Sequence, residues 1–204
     1  MPELPEVEVF RQYMNSTSLH KKISNVEVKS KTILGKVSPH SLRTRLKDHQ
    51  FISTSGYGKY LFAKNDNEDF LVIHFGMTGF LNYYKNSEEA SKHIRLLIKF
   101  NNGYNLVFDD VRKLGRVYLV DNYKQFIKKK KLGIDPIREK INFSSFKKIV
   151  NGKKGSIKSV LMNQQILAGI GNIYSDEILF QAKINPKSAF DKLKKKNLMR
   201  FSKR

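Results

Sequence analysis

The 204-residue chain contains no cysteine and few acidic residues. The missing cysteine excludes disulfide bonds, thiol catalysis and any zinc or iron–sulfur site with cysteine ligands. The five histidines are scattered without HxxxH spacing, so we expect no other transition-metal site. No apolar run is long enough to cross a membrane, and the start lacks the basic and apolar segments of a signal peptide. These absences predict a soluble cytoplasmic protein with no membrane partner.

The deficit of negative charge is large. Only 18 Asp and Glu oppose 39 Lys and Arg, which gives a formal net charge of +21. Such a charge opposes compaction, and a polyanion such as nucleic acid is the usual compensating partner. A generally Lys-rich proteome explains the same excess, because charge alone is not sequence-specific. Hydrophobic residues still make up 40% of the chain, which is enough for a packed core.

Strand patterns dominate the first 121 residues, after one short helix. Pro5 suits the first position of a helix over 5–15. From about residue 23 to 120, short apolar runs alternate with turn signals, as in "FLVIHF" before "GMTG" and in "HIRLLIKF" before "NNG". Closely spaced strands with short turns predict an antiparallel sandwich or barrel.

Helical patterns follow the strands. A basic segment over 122–143 predicts a linker, and the helical periodicity beyond it covers 144–151, 156–166, 173–182 and 188–200. We therefore predict an α+β protein with an N-terminal antiparallel β-sandwich over 1–121, flanked by helices, and a helical domain over 144–204.

The start of the chain, "MPELPEVE", offers a nucleophile. Removal of Met1 leaves a secondary amine on Pro2, and an α-amine has an unperturbed pKa of about 7.7–8.0, so part of it is neutral near pH 7. Such an amine can attack a sugar C1′ and form an iminium ion, which is an electron sink for elimination. Glu3 lies beside it and can transfer protons. The alternative is that Glu3 and Pro5 simply begin a helix.

Two turns carry further candidate contacts. Lys59, in "SGYGKYLF", stands at the start of an apolar strand. It is either a solvated residue of a strand edge or a contact for phosphate or proton transfer. Met77 stands at the tip of the "GMTG" turn, where an apolar side chain can wedge into a base stack or pack into the adjoining core.

The stretch "FDDVRKLG" forms another loop between strands and carries Arg112 and Leu114. Asp109 and Asp110 in the same stretch are a possible carboxylate pair. Because Arg and Lys follow directly, the sequence favours a salt-bridged turn over a metal or acid–base site.

The most specific pattern joins two helices with almost no linker, at "AGIGNIY". Gly169 and Gly171 permit tight turns, and Asn172 can cap the second helix while the N–H groups there face an anion. Lys154 and Lys158 add positive charge nearby. This combination predicts a phosphate-binding hairpin. A purely structural turn explains the glycines and Asn172, but less readily the lysines.

Taken together, the stretches "MPELPEVE", "GKYL", "HFGMTG", "DVRKLG" and "AGIGNIYSDE" resemble the ordered signatures of the formamidopyrimidine-DNA glycosylases. The resemblance covers residues 1 to about 190, and Leu4 favours the oxidised-purine branch over the endonuclease VIII branch. It implies a β-sandwich followed by a helix–two-turns–helix module, with damaged double-stranded DNA in a basic cleft between them and the damaged base flipped out. It also implies a bacterial-type, nucleoid-associated protein, and we expect a monomer.

The same resemblance implies a role for each candidate residue. Pro2 is the nucleophile on C1′, Glu3 is the acid–base residue, and Lys59 contacts phosphate and assists elimination. The expected products are a released oxidised purine, such as 8-oxoguanine, and a strand nicked by β,δ-elimination. The positions that fill the void of the flipped nucleotide or bind phosphate correspond to Met77, Arg112, Leu114, Lys154 and Asn172.

The chain also departs from the family pattern. Leu114 replaces an aromatic wedge, which loses base stacking of roughly 1–3 kcal/mol. Asn163 stands where Asp is usual, and Ser91 stands where His is common. The family's four-cysteine zinc finger is impossible in a chain without cysteine, so we expect no cofactor and either a shortened chain or a zincless form. The alternative function is therefore a catalytically weak or inactive DNA-binding member. An RNA-binding protein is a third hypothesis, because a similar helix hairpin occurs in a small-subunit ribosomal protein.

Overall fold

The computed structural model describes residues 1–85, 91–139, 142–150 and 152–190. The chain divides into two compact units, Met1–Phe126 and Ile127–Arg204. The division falls within the segment for which the sequence predicts a linker. The last helix expected from the sequence, over 188–200, lies mostly outside the described residues. Among the described residues, no helix has the length and apolar character that crossing a membrane requires.

The first unit is built mainly from strands. Its elements in chain order are α1 (Leu4–Ser18), β1 (Ile23–Val28), a 3-10 turn (Lys31–Ile33), α2 (Pro39–Leu46), β2 (Phe51–Tyr57), β3 (Tyr60–Asn65), β4 (Phe70–His74), β5 (Gly79–Lys85), β6 (Ile94–Phe100), β7 (Tyr104–Asp110), β8 (Arg116–Val120) and α3 (Tyr123–Lys129), which runs across the boundary between the units.

The strands form two antiparallel four-stranded sheets, with the orders β1-β6-β7-β5 and β2-β3-β4-β8. One hydrophobic core takes residues from both sheets, so the sheets form a sandwich. In β6 the core residues are Leu96, Ile98 and Phe100, as the period of two in the sequence requires. The predicted α+β fold with an antiparallel sandwich is confirmed.

Helix α1 covers one side of this core. Val7 and Met14 are fully buried, and Phe10 stacks on Phe75 with ring centroids 4.3 Å apart. The helix begins one residue before Pro5, which therefore lies in the first turn, where its missing N–H is not needed. Because α1 packs against β2, β3 and β5, its N-terminal end is fixed relative to the sheets.

The second unit has its own hydrophobic core around α4 (Phe143–Val150), α5 (Ile157–Met162) and α6 (Asn172–Ala182). The helix predicted over 156–166 ends earlier, at Met162. Asn163 then begins a turn in which its side-chain oxygen accepts the N–H of Gln165 at 2.9 Å. A short amide side chain that bonds its own backbone favours a turn over continued helix.

Candidate active site and nucleic-acid contacts

Pro2 and Glu3 form the N-terminal end of α1. Pro2 is half-buried, whereas Glu3, the residue that caps the helix, is only 1% exposed. The backbone N–H of Glu3 donates to the side-chain Oε2 of Glu6 at 2.8 Å. This bond holds the peptide link between Pro2 and Glu3 against the first turn of the helix. The helix start and the candidate reactive pair are therefore one structure, so the two interpretations of the sequence are compatible.

Lys59 lies on the tight turn between β2 and β3. Tyr57 pairs with Tyr60, so the chain reverses over Gly58 and Lys59, with Gly58 at a φ of +54°. Lys59 is only 8% exposed, which rules out a solvated residue of a strand edge. Burial lowers the pKa of its ammonium group, and the nearby carboxylate of Glu3 partly opposes this shift. The fold thus brings a partly desolvated amine near the carboxylate of Glu3, the residue that follows Pro2 in the chain.

The loops that carry Met77 and Arg112 lie next to each other. Met77 is on the β4–β5 turn and Leu114 on the β7–β8 loop, and their side chains are 45% and 41% exposed. The Arg112 guanidinium approaches the Met77 sulfur at 3.2 Å, and the Arg112 N–H donates to the Thr78 hydroxyl at 3.1 Å. The alternative that Met77 packs into the core does not hold, because so much of its side chain is exposed.

Asp110 clamps these two loops together. It is fully buried, and its carboxylate accepts hydrogen bonds from the Thr78 hydroxyl at 2.5 Å and from the Gly115 N–H at 2.7 Å. The loops approach so closely that a Cβ on Gly76, which has a φ of +63°, would lie 2.6 Å from the Gly115 nitrogen. Among the described residues neither Asp109 nor Asp110 forms an ion pair, so the salt-bridged turn favoured by the sequence is wrong.

His74 is a polar residue of this sheet edge that the sequence interpretation did not select. It ends β4 opposite Tyr60, with ring centroids 4.9 Å apart, so it lies between Lys59 and the Met77 turn. Its Nδ1 accepts the N–H of Gly76 at 3.3 Å. The available signal was its position directly before the "GMTG" turn.

The hairpin of the second unit joins α5 to α6. Helix α6 begins at Asn172, one residue before the predicted 173–182, and its capping residue is Gly171, so the prediction that Asn172 caps the helix is wrong. Asn172 is instead the first helical residue, with an exposed side chain. Lys154 is exposed before α5, whereas Lys158 forms an ion pair of 2.7 Å with Asp176 on α6. Part of the positive charge expected at the hairpin is therefore already neutralised within the protein.

A metal site of the zinc-finger type does not fit this chain. There is no cysteine to supply thiolate ligands, and no cluster of three or more His, Asp or Glu occurs among the described residues. The expectation that the protein uses no cofactor stays a prediction.

Comparisons with known proteins agree with this architecture. Residues 1–117 match the formamidopyrimidine-DNA glycosylase N-terminal domain, and residues 132–204 match the formamidopyrimidine-DNA glycosylase H2TH domain. A formamidopyrimidine-DNA glycosylase from Mycoplasma genitalium is 34% identical over 197 residues, which are 95% of this chain and 68% of the relative.

Solved structures give the same result. The Lactococcus lactis Fpg in complex with an abasic site containing DNA superimposes with a TM-score of 0.92 at 29% identity, over 98% of this chain and 74% of that chain. Its G226P mutant in complex with a Fapy-dG containing DNA gives the same TM-score and coverages at 30% identity.

The β-sandwich followed by an H2TH unit defines a DNA-repair glycosylase. Within that class, the chain belongs to the formamidopyrimidine-DNA glycosylase family, as its sequence motifs indicated.

Proposed function

We propose that the protein removes oxidised purines from double-stranded DNA and then cleaves the strand, with the amine of Pro2 as the nucleophile. The placement of buried Lys59 near buried Glu3, which follows Pro2 in the chain, carries this proposal. The Lactococcus lactis relatives bound to abasic-site and Fapy-dG DNA support the choice of substrate. Exposure of Met1, at 43%, is compatible with its removal by an aminopeptidase, which the chemistry requires.

The reaction begins when the Pro2 nitrogen forms a bond to C1′ of the damaged nucleotide. The bond from C1′ to the base breaks, its electron pair leaves with the base, and the base takes up the proton that the Pro2 nitrogen loses. Opening of the sugar ring gives an iminium ion, with Glu3 supplying the proton for the ring oxygen. The iminium ion acidifies the C2′ proton, so its removal expels the 3′ phosphate, and a second elimination expels the 5′ phosphate.

The same geometry suggests how the other candidate residues act. The exposed side chains of Met77, Arg112 and Leu114 can enter the space left by the flipped nucleotide. Lys59 contacts a phosphate while charged and assists elimination while neutral. In the second unit the phosphate contacts are assigned to Lys154, Lys158, Gly171 and Asn172.

Borohydride trapping on a duplex that contains 8-oxoguanine tests the proposal. Wild-type protein, shown by intact mass to lack Met1, should form a covalent adduct, because borohydride reduces the iminium ion. Pro2→Gly should form far less adduct, whereas Pro5→Ala, a change in the same helix turn, should retain it. Absence of an adduct with processed wild type, or an adduct from a protein with an uncleaved N-terminal extension, would refute the role of Pro2.

Leu114 and the missing cysteines favour a second candidate function, a family member that binds damaged DNA without cutting it. Leucine cannot stack on the orphaned base as an aromatic ring does. In that case processed wild type forms no adduct, and Pro2→Gly leaves the Kd for lesion duplex unchanged. The trapping experiment and an anisotropy titration therefore distinguish the two functions.

A further inference from the structure

The side chain of Gln164 bonds to both ends of the α5–α6 hairpin. Gln164 is half-buried in the turn that follows α5. Its Nε2 donates to the carbonyl oxygens of Met162 at 2.8 Å and Ile170 at 2.6 Å. Its Oε1 accepts the N–H of Gly169 at 3.0 Å. The side-chain amide of Gln164 thus donates two hydrogen bonds and accepts one, all with backbone groups of the hairpin.

Gln164 is itself held in place. Its own carbonyl oxygen accepts the N–H of Gly133 at 2.8 Å. A Cβ on Gly133 would lie 2.4 Å from the carbonyl oxygen of Ile166, so the two segments are in close contact. The turn that carries Gln164 is therefore joined to the segment around Gly133.

The bond to Ile170 has a directional consequence. The carbonyl of Ile170 and the N–H of Gly171 belong to one planar trans peptide and point in opposite directions. Fixing the Ile170 carbonyl toward Gln164 therefore fixes the Gly171 N–H away from it. Gly171 caps α6, an eleven-residue helix, so this peptide sets the direction of the first groups at the helix N-terminus.

We propose that Gln164 is a positioning residue for DNA binding. Its amide fixes the peptide between Ile170 and Gly171 and so presents the N-terminus of α6 to a DNA phosphate. This inference rests on the proposed function, in which Gly171 and Asn172 contact phosphate. Helix N-termini bind phosphate through oriented N–H groups, so a rotated first peptide weakens the contact even when the helix is intact.

Gln164→Glu is the sharpest test, because it keeps the shape and the acceptor for Gly169 but cannot donate to Met162 or Ile170. Gln165→Glu is the matched control. Gln165 is the next residue in the turn, and its exposed side chain makes no hydrogen bond within the described part of the chain, although its backbone N–H donates to Asn163. The control places the same negative charge in the same turn, so it measures simple repulsion of DNA.

Anisotropy titrations on abasic-site duplex give Kd, single-turnover assays give the rate at saturating DNA, and thermal unfolding reports stability, all with the full chain. We expect Gln164→Glu to raise Kd about tenfold more than Gln165→Glu does. The saturated rate should stay within about twofold of wild type, because a loss of uniform binding leaves kcat unchanged. Equal Kd values for the two variants would overturn the proposal.

Gln164→Met covers the case in which the carboxylate prevents folding, because it keeps the length and removes all three bonds without adding charge. Folded Gln164→Met with wild-type Kd overturns the proposal, and so does loss of fold in both variants, since Gln164 is then a stability residue. If wild type itself does not bind lesion duplex, the proposed function fails. If wild type binds and the Gln164 variants bind equally well, only the positioning role fails.

Discussion

Replacement of Asp110 by asparagine should loosen the two loops that carry Met77 and Leu114. The Asp110 carboxylate is fully buried and accepts from the Thr78 hydroxyl and the Gly115 N–H at 2.5 and 2.7 Å. Hydrogen bonds to a charged group contribute about 1.5–3 kcal/mol each, against about 0.5–1.5 kcal/mol for neutral pairs.

Asparagine can form only one of these two hydrogen bonds with good geometry. If its oxygen faces the Gly115 N–H, its NH₂ group faces the Thr78 hydroxyl, which already accepts from the Arg112 N–H. One bond becomes neutral and the other is strained or lost, so we expect the free energy of unfolding to fall by about 2–4 kcal/mol. The adduct should also form more slowly, by about tenfold or more, because a loop misplaced by 1 Å can cost a factor of about 100.

Urea unfolding followed by circular dichroism measures the stability, and borohydride trapping on 8-oxoguanine duplex measures the chemistry. Asp109→Asn is the matched control. Asp109 is 1% exposed, and its Oδ2 is buried without a hydrogen-bond partner among the described residues. Loss of that charge removes no hydrogen bond at Oδ2, so the free energy of unfolding should change by less than about 1 kcal/mol. Equal effects of the two substitutions, or a wild-type result for Asp110→Asn, would refute the clamp.

Three further predictions follow from the charges. Lys59→Arg keeps a cation that cannot lose its proton, whereas burial lowers the pKa of Lys59. Adduct yield should therefore stay within about threefold of wild type, while strand nicking at alkaline pH, measured on denaturing gels, falls about tenfold. Nicking equal to that of wild type would contradict this prediction. Asp176→Asn releases Lys158 from its ion pair, so the Kd for duplex by anisotropy should fall about twofold to fivefold at low salt and converge with wild type at high salt. An unchanged low-salt Kd would show that Lys158 does not contact DNA. Hydrogen bonds from Lys29 and a second lysine side chain lower the pKa of the Glu27 carboxyl group from 4.5 to about 2. The stabilisation from the ionised carboxylate is therefore present above pH 4.5 and is lost as the pH falls through about 2. Glu27→Gln should lower the free energy of unfolding by about 1 kcal/mol or less at pH 7, because the ion pairs of Glu27 are partly exposed, and should have no effect well below pH 2.

The sandwich could be predicted because its signal is local. In β6 the residues Leu96, Ile98 and Phe100 recur at every second position, and this period of two assigns one face of the strand to the core before any partner strand is known. Helix α1 was similarly indicated by Pro5, and its observed start and end differ from the prediction by one and three residues.

The hydrogen bonds of Asp110 and Gln164 could not be predicted, because the partner is distant along the chain in one case and depends on the orientation of a single side chain in the other. Asp110 bonds to Thr78, which is 32 residues away in the sequence. The sequence favoured the adjacent Arg and Lys as partners of the aspartates, since they are closest along the chain. Gln164 lies shortly before the "AGIGNIY" motif, but nothing in its residue type indicates that its amide would bond to Met162, Gly169 and Ile170.

The sequence by itself determined the family, the strand and helix periods and the residue types available for chemistry, because these depend on order and spacing along the chain. Only the tertiary structure decided which of those groups have a shifted pKa and which already form an ion pair. Lys59 has a lowered pKa because the β2–β3 turn is buried, and Lys158 is partly neutralised because α6 brings Asp176 to 2.7 Å. Desolvation and ion pairing depend on distances in space, and these are set only when each unit folds.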